Sequence, residues 1–97
     1  MDIQEDVGRK LPTGGEKVIQ CLEREGVEFI FGLSGGAAMP LFDALVDSKI
    51  QLVLTRHEQG ATHMADGYSR VSGRTGVCIG QNGPGITNFV TAIAAAY

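Results

Sequence analysis

Glu58 stands in the stretch TRHEQGATHMADGYSR, directly after an apolar run and directly before a segment rich in small residues. A carboxylate at the carboxyl end of a buried strand is partly withdrawn from water, which raises its pKa and lets it donate a proton near neutral pH. The same residues also fit a plainer role. Thr55-Arg56-His57-Glu58 has the form of a capping box, in which the carboxylate reaches back to an amide at a helix start. Two glycine-rich stretches accompany Glu58: GLSGGAAMP, with Gly32, Gly35 and Gly36, and GQNGPGITN, with Gly80, Gly83 and Gly85. Glycines let a backbone approach a ligand and leave amides pointing outward. Tight turns, and an ordinary helix start at Pro84, account for them equally well.

Other chemistries find less support. GPGITN departs from the dinucleotide fingerprint by having Asn88 at the third glycine position, and the chain has no GKS or GKT of a P-loop. His57 and His63 are not at the i, i+4 spacing of a helical zinc site, so no metal ligands are expected in this chain. Neither a serine elbow nor a cysteine beside a histidine is present, which leaves nucleophilic triads without a basis.

The elements that must position Glu58 follow from local pattern. Thr13 to Glu16 has the capping-box form, Val18, Ile19 and Leu22 recur at helical spacing, and Gly26 offers a stop, which predicts a first helix. VEFIFG reads as a buried strand. Pro40 suits the first turn of a second helix whose apolar face is Leu41, Phe42, Leu45 and Val46. IQLVL and TGVCIG are two more strands, EQGATHMADGYSRVSG is a helix between them, and PGITNFVTAIAAAY is a last, continuous helix. On the middle helix Ala61, Met64, Ala65, Tyr68 and Val71 share one face. Short apolar strands alternating with helices give an α/β fold, a parallel sheet covered by helices on both faces. In such sheets ligands gather outside the carboxyl ends of the strands, where both glycine loops and Glu58 fall.

Composition narrows the class. At 97 residues the chain suffices for one small domain. Its 11 acidic and 8 basic residues give a net charge of −3, with no basic stripe for nucleic acid. Cys21 and Cys78 lie in apolar segments and are expected as packed free thiols of a reducing compartment. The opening MDIQEDVGRK has no apolar core of a signal peptide, and the closing apolar run is too short to span a bilayer. A cytoplasmic protein with no membrane partner is the expectation. The last helix reaches Tyr97 without glycine, proline or a basic last turn, so an N-terminal piece of a longer protein is expected.

EREGVEFIFGLSGGAAMPLFDAL, RHEQGATHMADGYSRVSGRTGVCIG and NGPGITN, taken together, closely resemble the pyrimidine-binding (PYR) domain of thiamine diphosphate-dependent enzymes of the acetolactate synthase type. The resemblance runs from about Thr13 to Tyr97 and implies a tail over residues 1–12 and a PYR domain, truncated at its carboxyl end, over 13–97. It implies that Glu58 is the catalytic glutamate, bonded to N1′ of the cofactor's aminopyrimidine and thereby promoting formation of the thiazolium C2 ylide. The ylide then attacks a 2-oxo acid, carbon dioxide leaves, and the enamine adds to an acceptor. By the same resemblance Leu33, Ser34 and Gly35 line the cofactor, and Gln81, Pro84 and Asn88 flank its pyrimidine. Magnesium and the diphosphate would be held by a domain this chain lacks, in a homodimer or higher oligomer with the site between subunits. No activity is therefore expected from the chain alone. FAD in the full-length protein is a further option. QNGPGITN followed by FVTAI is also similar to sulfoacetaldehyde acetyltransferase, whose acceptor is phosphate. An inactive fragment, or a module that pairs with and regulates a full-length relative, is the remaining alternative.

Overall fold

A computed structural model describes residues 11–97. The tail expected over 1–12 lies outside the described residues apart from Leu11 and Pro12, which belong to no helix or strand. Helix α1 spans Gly14–Arg24, strand β1 Phe29–Gly32, and a 3-10 turn Gly36–Ala38 leads into α2, Met39–Val46. Strand β2 (Gln51–Leu54), helix α3 (Glu58–Ser72), strand β3 (Val77–Ile79) and the short helices α4 (Asn82–Thr87) and α5 (Val90–Ala96) follow. The strands form one parallel sheet in the order β2-β1-β3.

Side-chain alternation on β1 builds two cores, one on each face of the sheet. Ile30 pairs in register with Leu52 and Val77. All three face α1 and α2, where Ile19, Phe42, Leu45 and Ile50 are buried. Phe31 pairs with Val53 and Cys78. These face α3, against Ala61, Ala65 and Tyr68. The Phe29 and Tyr68 rings meet edge to face with centroids 5.6 Å apart, a favoured aromatic geometry. The fold is thus α/β with helices on both faces, as expected.

Helix ends follow local chemistry. Thr13 Oγ1 accepts from the Glu16 amide at 3.1 Å. Past the ends of α1 and α3, Gly26 and Gly73 hold φ of 77° and 73°, the left-handed conformation of a helix stop. Pro40 lies in the first turn of α2.

Four expectations are corrected. On α3, Met64 and Val71 are exposed, and Thr62 is buried instead. At about 100° per residue, Ala61, Ala65 and Tyr68 centre on the sheet, Met64 and Val71 fall on one flank, and Thr62 falls on the other. α5 packs along α3, with Arg70 donating both to Asp66 and to the Ala95 carbonyl, each at 3.0 Å. Val46, at 79% exposure, lies off the buried face of α2. Cys21 is exposed rather than packed, although both cysteines are free thiols.

The last helix is not continuous. Thr87 Oγ1 donates to the Pro84 carbonyl, and the Phe89 amide bonds Ile86, three residues back. That tightened turn separates α4 from α5, and the Phe89 ring lies against Gly80. A helical ladder contracted from i−4 to i−3 no longer carries its side chains around at the α-helical step.

Ile30 is 2% exposed and touches elements on both of its flanks, so Ile30→Ala is expected to cost about 2–5 kcal/mol. Val71→Ser, at an exposed position, should change stability by no more than about 0.5 kcal/mol. Urea unfolding of both variants checks the pair.

Candidate functional site

The three strands end level with one another, so the loops after β1, β2 and β3 emerge at one edge of the sheet. After β2, the Thr55 amide bonds the Gly32 carbonyl at 2.9 Å, extending the ladder by one residue. Its hydroxyl donates to the His57 carbonyl at 3.0 Å. Thr55 therefore does not cap α3, which corrects the capping-box reading. His57 is the N-cap, with Nδ1 accepting from the Gln59 amide at 3.0 Å.

With the cap supplied by His57, Glu58 is the first residue of α3 and its carboxylate turns toward the third loop. Asn88, at the break between α4 and α5, donates from Nδ2 to Glu58 Oε1 at 3.0 Å. The other oxygen, Oε2, lies beside Gly85. A methyl carbon placed on Gly85 would come within 3.5 Å of Oε2 and 3.2 Å of the Gly80 carbonyl carbon. The tight approach is to the Gly80 backbone, while Oε2 would be at ordinary contact distance, so Gly85 lets the third loop fold closely beside that oxygen.

The first and third loops meet at Gly35 and Gln81. A Cβ on Gly35 would fall on the Gln81 side-chain amide, so the two loops are as close as a glycine permits. Gln81 Oε1 is buried there and accepts no hydrogen bond. Asn82, next along, holds φ of 56°, a left-handed conformation that asparagine tolerates better than most residues.

The sequence-derived residues are thus partly united. Glu58 with Asn88, and Gly35 with Gln81, are in direct contact. Pro84 is exposed in the first turn of α4, where its carbonyl accepts from the Asn88 amide at 3.2 Å. Leu33 is half-buried and Ser34 exposed, and among the described residues no hydrogen bond ties either to Glu58. Gly85 and His57 complete the arrangement. The GPG run carried the signal for Gly85, whereas the signal for His57 as a cap was masked by the stronger Thr-x-x-Glu pattern.

The pKa of Glu58 is lowered from its ordinary value of 4.5, contrary to the rise expected from a buried strand end. The hydrogen bond from Asn88 is the main cause, followed by the Glu58 backbone amide; the lesser push of burial acts upward, and the charge of His57 acts downward again. Glu58 is half-buried, so donors to its charged form outweigh desolvation.

A family model described as thiamine pyrophosphate enzyme, N-terminal TPP binding domain, matches residues 12–97. The chain belongs to this family. It is 57% identical over 84 residues to the probable acetolactate synthase large subunit of Methanocaldococcus jannaschii, covering 87% of this chain and 14% of that relative. It is 53% identical over 91 residues to the acetolactate synthase of Mycobacterium avium, covering 93% of this chain and 15% of the relative. It is also 56% identical over 85 residues to the sulfoacetaldehyde acetyltransferase of Castellaniella defragrans, covering 88% and 14%. The chain spans about one seventh of the length of these relatives.

The residues present fit the aminopyrimidine of the family's cofactor. Glu58 Oε2 accepts from no other side chain among the described residues and is the acceptor a flat nitrogen heterocycle could meet, whereas Gln81 Oε1, also without a donor, is buried against Gly35. Gly36 and Gly83 add open space, since a Cβ on either would meet nothing within 4 Å. A cavity of about 840 Å³ lies elsewhere, between α3, β3 and α5, and brings together no comparable set of free acceptors. Among the described residues no three His, Cys, Asp or Glu side chains gather as metal ligands, and no helix is long and apolar enough to cross a membrane.

Two outcomes are expected. Gly35→Ala must displace Gln81, at a cost of about 1–3 kcal/mol. Adding Gln81→Ala should recover part of that loss, and a double-mutant cycle by thermal unfolding measures the coupling. Because the folded-state pKa of Glu58 is depressed, its contribution to stability is present above 4.5 and is lost as pH falls through the lowered value. Glu58→Gln should remove that component of acid sensitivity, read from urea midpoints between about pH 6 and pH 3.

Proposed function

We propose that this chain forms the pyrimidine-binding wall of a thiamine diphosphate-dependent enzyme of the acetolactate synthase type, which decarboxylates a 2-oxo acid and joins the remaining fragment to an acceptor. The single observation that carries this reading is Glu58, with Oε1 held by Asn88 and Oε2 left open beside Gly85. The resemblance of RHEQGATHMADGY and NGPGITN to that family, and 53–57% identity to acetolactate synthases, support it. Thiamine diphosphate, when bound, supplies the carbon nucleophile and the electron sink for decarboxylation.

In this reading Glu58 Oε2 holds a proton against the ring nitrogen of the pyrimidine and exchanges it as the cofactor is activated. Gln81 and Pro84 would flank the pyrimidine, while Leu33, Ser34 and Gly35 would line the approach. Enclosure by the cofactor and a partner subunit raises the Glu58 pKa from its lowered starting point toward the range where a carboxyl group donates at neutral pH. The diphosphate, magnesium and any FAD belong to parts of the enzyme beyond these residues. The working form is a cytoplasmic dimer or larger assembly with the site between subunits.

A second reading is favoured by the third loop. QNGPGITNFVT and 56% identity to a sulfoacetaldehyde acetyltransferase support an enzyme whose acceptor is phosphate. Acetolactate formed from pyruvate separates the first reading from acetyl phosphate formed from sulfoacetaldehyde and phosphate.

The 97-residue chain alone, given pyruvate, thiamine diphosphate and magnesium, is expected to show no turnover. In the assembled enzyme Glu58→Gln should lower kcat by about 10²- to 10⁴-fold, the range for loss of a positioned proton-transfer group. Full activity of Glu58→Gln would leave the helix start as the carboxylate's only role.

A further inference from the structure

Asn88 reaches Glu58 from the carboxyl end of α4. Its amide bonds the Pro84 carbonyl at 3.2 Å and ends α4, and the next residue, Phe89, is buried against Gly80. From that turn the Asn88 side chain crosses to an element thirty residues earlier and donates to one oxygen of its carboxylate. A carboxylate without such a tether rotates about its last bond, since that torsion is broad and nearly two-fold. Glu58 has one oxygen tied and the other beside Gly85, so its two oxygens are not equivalent.

We propose that Asn88 is a positioning residue: it holds Glu58 Oε1 so that Oε2 alone is offered to a ligand at the mouth of the sheet. This rests on the reading of Glu58 as the proton-exchanging group, and it assigns Asn88 a role through Glu58 rather than through contact with the cofactor. An asparagine suits the task. Its amide donates without carrying a charge, so the carboxylate is fixed and kept ionised before a ligand arrives, yet is not locked in a salt bridge. The lowered pKa of Glu58, caused first by this bond, agrees with the geometry. The one titratable neighbour that adds to the effect is His57, while Gly80 and Gly85 on the facing loop bring no charge.

The test is the titration of the Glu58 side-chain carboxyl carbon by NMR in the full chain. Asn88→Ala is expected to raise the midpoint. Asn88→Asp, close in shape but an acceptor when ionised, should raise it further through like charge. An unmoved midpoint in Asn88→Ala with a native amide spectrum overturns the proposal. Should Asn88→Ala fail to fold, the wild-type Asn88 side-chain amide still reports. Its proton shifts must follow the Glu58 midpoint and lose that step in Glu58→Gln, and a flat response overturns the proposal. Thiamine diphosphate binding by calorimetry in the assembled enzyme reads the functional assignment separately. Wild-type protein that binds none of it, with the Glu58 midpoint still moved by Asn88→Ala, refutes the ligand and supports the positioning of Glu58.

Discussion

The parallel pairing of β1 between β2 and β3 is the constraint on which the rest depends. A parallel ladder places all strand ends of one kind at one edge, so Gly32, Leu54 and Ile79 finish at nearly the same level. The residues that follow have no choice of neighbourhood. Leu33 to Gly35, Thr55 to Glu58 and Gly80 to Gly85 must share one small volume, and glycine at the tightest points is what lets three backbones do so. The same strand divides the apolar residues, sending Ile30 to one core and Phe31 to the other. Stability and site geometry therefore have a common source: loosening β1 would separate the loops as well as open both cores.

Within that volume, helix capping and carboxylate placement compete for the same residues. A helix start needs an acceptor for its first amides, and the nearest carboxylate is the usual supplier. Here the β1–β2 ladder recruits Thr55, and the cap passes to His57. Glu58 is thereby released to face Asn88 across the site. Asn88 in turn stands at the end of α4, where the ladder tightens to i−3 before α5 begins.

What could be read from the residues alone was what local chemistry decides. Thr13, Pro40 and Gly26 act within a few residues of themselves, and they mark their helix ends as the sequence suggests. The alternation of apolar residues likewise disclosed the sheet and the edge where Glu58 would stand. Three of the failures involve a partner distant in sequence. Thr55 looked like a cap because its bond to Gly32 is invisible locally. Met64 and Val71 matched the apolar period of α3, but the side of the helix that is buried is the one carrying Thr62, where α5 packs. The direction of the Glu58 pKa depended on Asn88, thirty positions on, and a strand-end argument contains no such donor.

The lowered pKa and the proposed proton exchange are compatible only if the surroundings of Glu58 change when the site is filled. Donors to the charged form now outweigh burial, because Glu58 is only half covered. Covering it would strengthen desolvation, and a ring nitrogen facing Oε2 would give the proton a second place to reside. The chain's own contribution is then a low starting point: a carboxylate fixed in orientation, ionised, and reachable from the sheet edge. A glutamate already buried and protonated would keep an acceptor oxygen, but a weaker one for an N–H group than the carboxylate offers. In the proposed reading, keeping Glu58 charged until it is enclosed would let one residue serve first in recognition and afterwards in proton transfer, with Asn88 as the side chain that holds those two roles in that order.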